Sequence, residues 1–202
     1  MMKFEIFDIR DFTEKEYIFT CESMSESRKN RLERYKNSDD KLRMASAESR
    51  LKKLIAELSG EKTENVKVDN LPSGKPLALV NGKKFSVSIS HSGNFVAVAV
   101  ADSDIGIDIE TRESISKALI DRALCDDEKA YVGEFSHKRG KEQRTKFLRV
   151  WTAKEAYLKL TGEGLSMLHK VNTMPFIENS ACGYEIFCEV TEDYVCTVIG
   201  KK

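Results

Sequence analysis

Proline, net charge and long apolar runs are all scarce in this sequence, and each scarcity excludes something. Only three prolines interrupt 202 residues. No stretch is rich in Pro, Gly or Ser, so no flexible linker separates independent domains. The five cysteines (21, 125, 182, 188 and 196) are odd in number, scattered, and free of any CxxC pair. That argues against a disulfide framework and a cysteine zinc site, and for reduced thiols. Lys plus Arg and Asp plus Glu both number 33, giving a formal net charge of zero. No whole-protein field then favours a nucleic acid or an anionic membrane. The longest unbroken apolar run, Phe95 to Ala101, is far short of the about 20 residues a spanning helix needs. The start, Met1-Met2-Lys3-Phe4-Glu5, lacks the basic-then-apolar pattern of a secretory signal. No GxxxxGK[ST] phosphate loop occurs either. The expectation is a cytoplasmic, globular chain with neither nucleic acid nor membrane as partner.

What is present organises into two halves. Lys3 to Ile9 alternates as an opening strand, and Ser25 to Tyr35 is a short basic helix. Ser38 is placed to cap a second helix, whose Met44, Ala47, Leu51, Leu54, Ile55 and Leu58 recur at three and four residues up to Gly60. Pro72 to Pro76 reads as a loop. From Phe85 the period becomes two: Phe85–Ser90, Phe95–Ala101 and Ile105–Ile109 are expected as strands, with turns at 92–94 and 103–104. Helical signals return from Ser114 to about Phe135, broken near Cys125. Lys141 to Thr161 is the strongest late helix, with Phe147, Val150, Trp151 and Leu158 inward. Tyr184–Val190 and Tyr194–Ile199 close as a hairpin. The halves meet at about Ala101 to Ile105, so residues 1–103 and 104–202 are the expected units of an α+β fold, antiparallel strands packed with helices.

Four constellations carry chemistry, each with an ordinary reading beside the functional one. In Ile105-Gly106-Ile107-Asp108-Ile109-Glu110 the isoleucines face one way and the two carboxylates the other, beside a glycine that leaves room for a ligand. Side-by-side carboxylates repel unless a cation or donor lies between them; alternation alone also fits an acidic outer face. In Trp151-Thr-Ala-Lys154-Glu155-Ala-Tyr-Leu-Lys159, positions 151, 155 and 159 stack on one helical face, which also fits a surface Glu–Lys pair. Ser88-Ile-Ser90-His91-Ser92-Gly93 ends a strand in a polar turn, either a phosphate cradle or a solvated turn. Residues 27–53 hold ten Lys or Arg against four acids, and Gly74-Lys75-Pro76 adds a cation on a rigid loop. Such a run attracts phosphate or is merely a solvated face.

Taken in order, Ser-His, Gly-Ile-Asp-Ile-Glu and Trp-Thr-Ala-Lys-Glu-Ala-Tyr-Leu-Lys resemble the 4′-phosphopantetheinyl transferases. The nearer likeness is to the larger, two-halved, surfactin-synthetase-activating type rather than the half-length trimeric holo-acyl-carrier-protein synthases. The motifs span Lys75 to Leu165, with fainter similarity over Ser25 to Arg43. The resemblance implies two similar halves in a pseudo-twofold arrangement, with one site per monomer. It implies transfer of the phosphopantetheine arm of coenzyme A to a serine of an apo acyl or peptidyl carrier protein. Magnesium falls to Asp108, Glu110 and Glu155, and the pyrophosphate to Lys159; Glu155, between metal and incoming hydroxyl, reads as the general base or as a metal ligand alone. Coenzyme A phosphate and adenine contacts fall to Arg28, Arg31, Arg43, Gly74, Lys75, Pro76, Ser90 and His91, in the first half; the metal and carrier docking belong to the second. Ile109 stands where some relatives carry a third acid, which leaves that coordination position to water. Ile115, Leu119, Ile120 and Leu124 with Lys117 and Arg122 are a candidate carrier dock, or equally a core-facing helix. The rival function is a non-catalytic coenzyme A or carrier-protein binding module on the same fold.

Overall fold

The computed structural model describes residues 1–71, 74–111, 117–133 and 140–202, and it divides into two compact units, Met1–Ile105 and Gly106–Lys202. The first unit runs β1 (Met2–Asp8), α1 (Glu14–Glu22), α2 (Glu26–Arg34), α3 (Ser38–Ser59), β2 (Val66–Asn70), β3 (Pro76–Val80), β4 (Lys83–Ser92) and β5 (Phe95–Ala101). Its sheet has the order β1-β5-β4-β3-β2, every neighbouring pair antiparallel.

Strand β5, between β1 and β4, explains the core. Its valines and alanines alternate, and both sets are buried. Val96, Val98 and Val100 join Leu51, Leu54 and Ile55 of α3 in one cluster with Phe85 and Val87 of β4. Each such side chain contributes about 1.5–3 kcal/mol by leaving water. Helix α3 starts one residue earlier than expected: Asn37, not Ser38, is the cap, its side chain accepting from the Asp39 N–H at 2.9 Å. Gly60, at φ 74°, ends the helix in the left-handed conformation that favours glycine.

Three elements of this unit escape the periodicity argument. Helix α1 carries a Thr13–Glu16 capping box but no clean apolar stripe. Strand β2 buries only Val66 and Val68. Strand β3 begins at Pro76, which is tolerated because it stands at the first residue of the strand. Pro72 and Ser73 lie outside the described residues.

The second unit takes up β6 (Ile105–Thr111) and continues with α4 (Lys117–Ala123), α5 (Asp126–Val132), α6 (Gly140–Thr161), α7 (Met174–Ile177), β7 (Tyr184–Val190) and β8 (Tyr194–Lys201). Helices α4 and α5 break at Leu124–Cys125, and β7–β8 is the expected antiparallel hairpin. The sheet order is β6-β8-β7, with α6 laid along β8. Phe147, Leu148 and Val150 of α6 share a core with Ile120, Leu124 and Val195. Trp151 is only half-buried and stacks on Phe147 with ring centroids 5.9 Å apart. Each unit is thus mixed α+β, with one 22-residue helix packed on its sheet. No described helix is long and apolar enough to cross a membrane.

Candidate active site

Strand parity puts Gly106, Asp108 and Glu110 on one face of β6, opposite Ile105, Ile107 and Ile109. The even face meets α6. Trp151 Nε1 donates to Glu110 Oε1 at 3.2 Å, and Lys159 Nζ donates to Asp108 Oδ1 at 2.6 Å. A Cβ on Gly106 would fall 1.8 Å from the Ala156 carbonyl oxygen and 2.8 Å from the Leu160 nitrogen. Reading α6 forward therefore reads β6 backward. From Trp151 to Lys159 the helix advances about 12 Å, whereas Glu110 and Asp108 are about 6.6 Å apart along the strand, and the long Lys159 side chain makes up the difference. The glycine has a different use from the one expected: its missing side chain admits the backbone of α6, not a ligand.

This contact gathers charge. Asp108 is only 2% exposed. Glu155 Oε2 lies 3.9 Å from Lys159 Nζ. Burial first, then the Asp108 carboxylate and more weakly Glu110, push the Glu155 carboxyl up to about 7, with Lys159 acting against them. Among the described residues the Lys159 ammonium meets Asp108 and Glu155, and Glu110 adds a further negative charge that acts on Glu155, a repulsion that a divalent cation would relieve. All their donor atoms are oxygens, as magnesium prefers. The residues fit such an ion in donor type and charge. Among the described residues, however, no three Asp, Glu, His or Cys side chains stand grouped as metal ligands; the Lys159 ammonium lies against Asp108 instead.

Lys154, inside the same motif, is wholly buried for another purpose. Its Nζ pairs with Glu128 of α5 at 2.8 Å and donates to the carbonyls of Leu168 and Val171. Glu128 in turn accepts from the Thr173 N–H and hydroxyl. That network ties α5 and the 165–173 segment to α6.

The first unit holds the basic group. Arg28, Arg31, Arg43, Gly74, Pro76 and His91 line one cavity of about 250 Å³, together with Tyr35, Asp40 and Asn70. Their states differ. Arg31 is exposed, whereas Arg28 is 3% exposed and tied to Glu48 at 2.8 Å. Arg43 is held by Asp40 at 2.7 Å and by the Gly93 carbonyl at 2.8 and 3.0 Å. His91 is not at the tip of a turn: it lies within β4, paired with Val96, and the turn is Gly93-Asn94. Being adjacent on a strand, Ser90 and His91 face opposite ways, and Ser90 is buried outside the cavity lining. Lys75 also lies outside the lining, its carbonyl accepting from the Leu71 N–H at 2.8 Å.

The proposed carrier dock separates into its alternatives. Ile120 and Leu124 are buried in the α6 core with Leu119 packed against it, so these three take the core-facing role. Ile115 and the Lys117 side chain lie outside the described residues. Sequence reasoning passed over Asp40, Tyr35, Asn70 and Glu48; the spacing of Asp40, Met44, Ala47 and Glu48 along one α3 face was the available signal.

Comparison with known proteins places these observations. The profile of the 4′-phosphopantetheinyl transferase superfamily matches residues 104–199, and that of the 4′-phosphopantetheinyl transferase N-terminal region matches residues 11–103. The chain is 31% identical over 134 residues to the 4′-phosphopantetheinyl transferase psf-1 of Bacillus pumilus, covering 66% of this chain and 56% of that one. It is 26% identical over 147 residues to the 4′-phosphopantetheinyl transferase gsp of Aneurinibacillus migulanus, covering 73% and 60%. To the 4′-phosphopantetheinyl transferase Sfp of Bacillus subtilis it is 36% identical over 80 residues, covering 40% and 34%. The match to the first two relatives spans less than two thirds of their lengths.

Proposed function

The chain belongs to the 4′-phosphopantetheinyl transferase superfamily, and from that premise we propose that it moves the phosphopantetheine arm of coenzyme A onto a serine hydroxyl of an apo acyl or peptidyl carrier protein. Adenosine 3′,5′-bisphosphate leaves. The serine oxygen bonds to the phosphorus that bears the pantetheine arm, and the bond from that phosphorus to the bridging pyrophosphate oxygen breaks. The nucleophile belongs to the partner, consistent with the lack of a nucleophile motif in this chain.

The observation that carries this reading is the placing of Asp108 and Glu155 against the Lys159 ammonium, with Glu110 near enough to act on the Glu155 carboxyl. Asp108, Glu110 and Glu155 would hold Mg²⁺, which when bound supplies charge neutralisation on the pyrophosphate. Lys159 neutralises the charge that builds on the leaving phosphate, the main demand of phosphoryl transfer. Glu155 accepts the serine proton. In the first unit, residues 1–103, the cations Arg28, Arg31 and Arg43 with His91 take the 3′-phosphate, and Gly74 and Pro76 form the adenine wall. Lys75, whose carbonyl accepts from the Leu71 N–H, closes the loop that carries this wall. The second unit, residues 104–202, supplies the metal ligands and the carrier dock. Both family profiles match within one chain, which supports a monomer as the working unit; the cytoplasm is its proposed compartment.

A binding module on the same fold would need coenzyme A contacts but no carboxylate set, and this chain keeps all three acids with the lysine. The test is mass spectrometry of a panel of apo carrier proteins incubated with coenzyme A, Mg²⁺ and this protein. The proposal expects one phosphopantetheine added to at least one carrier. Tight coenzyme A binding with no arm added to any carrier would make it a binding module.

A further inference from the structure

The cavity of the first unit rests on a buried ion cluster. Glu48 of α3 is fully buried, and its Oε2 accepts from Arg28 Nε at 2.8 Å. Lys52, one turn further along α3, sets its ammonium 3.3 Å from Glu48 Oε1 and donates to the Ser23 carbonyl at 2.8 Å. Arg28 Nη1 donates to Asn70 Oδ1 of β2 at 3.1 Å. An arginine from α2 is therefore gripped from two other elements, at two of its nitrogens.

One carboxylate between two cations leaves one positive charge in surplus. A buried charge is costly unless an anion meets it. The Lys52 ammonium is taken up by Glu48 and Ser23, while Arg28 Nη2 makes no hydrogen bond within the described residues and Arg28 lines the cavity. The surplus thus lies on the cavity side. Free arginine loses much rotamer entropy on binding an anion, and its fork must be aimed correctly. Here Nε and Nη1 are already fixed before any ligand arrives.

We infer that Glu48, which cannot itself reach a ligand, is a positioning residue that aims the Arg28 guanidinium into the cavity and so sets the preference for a 3′-phosphate on coenzyme A. This rests on the coenzyme A reading proposed above. Two effects of removing Glu48 oppose each other: losing the carboxylate makes the cavity more positive, and losing the acceptor frees Arg28. Alanine removes both charge and acceptor; glutamine removes the charge and keeps an acceptor for Nε.

The experiment is calorimetric binding of coenzyme A and of 3′-dephospho-coenzyme A to the full chain and its variants, read as the ratio of the two affinities. Glu48→Ala is expected to lower that ratio about tenfold, the scale of one charge-assisted hydrogen bond. Glu48→Gln is expected to restore it to within about threefold of the parent, the weaker neutral acceptor accounting for the remainder. An unchanged ratio in Glu48→Ala, equal losses in both variants, or a raised ratio in both would overturn the inference. Should Glu48→Ala not fold, Asn70→Ala removes the other acceptor: a fall of about threefold supports the inference, and an unchanged ratio overturns it. A parent protein that binds both ligands equally overturns this inference alone. A parent protein that binds neither overturns the proposed function as well.

Discussion

The two units assemble charge in opposite ways. In the first, every cavity arginine but the exposed Arg31 has its own partner: Arg28 has Glu48 and Asn70, and Arg43 has Asp40 and a backbone carbonyl. In the second, among the described residues, Asp108 and Glu155 meet the same ammonium, that of Lys159, while Glu110 accepts from the Trp151 indole. The cation side is held in place beforehand, whereas the anion side is left crowded. Crowded carboxylates raise one another's pKa, and an arriving cation relieves the repulsion. Paired arginines hold a ready shape for an anion that adds to their existing bonds. The first arrangement suits recognition and the second suits charge change during a reaction.

That contrast breaks most visibly at Asp108. Asp108→Asn should cut arm transfer about a thousandfold, some 4 kcal/mol of barrier, measured as initial rate of holo-carrier formation. Because Asp108 is buried and paired with Lys159, a lower melting temperature should accompany the loss; normal turnover would remove Asp108 from the chemistry. Next is Gly106→Ala, where the added methyl meets the backbone of α6 rather than a movable side chain. It should destabilise the second unit by about 3 kcal/mol, seen as a lower urea midpoint, and a wild-type midpoint would refute the close strand–helix contact. A smaller effect is expected at the cavity mouth. Arg31→Ala should weaken coenzyme A binding about fivefold at low salt, with the difference shrinking as ionic strength rises.

The smallest effect tests the crowding itself. A carboxyl whose folded pKa is raised to about 7 binds its proton more tightly when folded. Its contribution is therefore present below the unfolded value near 4.5 and lost as pH rises through 7. Glu155→Gln, with EDTA present, should raise the melting temperature by about 2–4 °C at pH 8, the scale of 1 kcal/mol in a chain of this size. The gain should fade toward pH 5. A gain independent of pH would mean that burial and the neighbouring carboxylates together do not raise the Glu155 carboxyl.

How much of this was legible depended on whether a residue's role is set by periodicity or by a neighbour far along the chain. The α3 stripe, the β5 alternation and the parity of β6 follow from local spacing, and the structure keeps them. The pairing of Trp151 with Glu110 and of Lys159 with Asp108 was half visible: the helical face could be read, but not the strand it would meet. Gly106 read as space for a ligand because the backbone of α6, some 50 residues away, is invisible to a local argument. Arg28 read as a bare phosphate contact because its partners Glu48 and Asn70 sit on other elements. The opposite facing of Ser90 and His91 was available from strand parity once β4 was extended to Ser92. Helix α1 and strands β2 and β3 were missed because their apolar patterns are short, and tertiary packing rather than propensity fixes them.

The most direct measurement compares holo-carrier formation by the parent protein and Asp108→Asn, each with Mg²⁺ and with EDTA, followed by mass spectrometry of an intact carrier protein. Rapid addition of one arm by the parent in Mg²⁺, and almost none in the other three samples, is the expected result. Addition that proceeds equally in EDTA, or equally in the variant, would contradict a reaction built on the acids of β6 and α6.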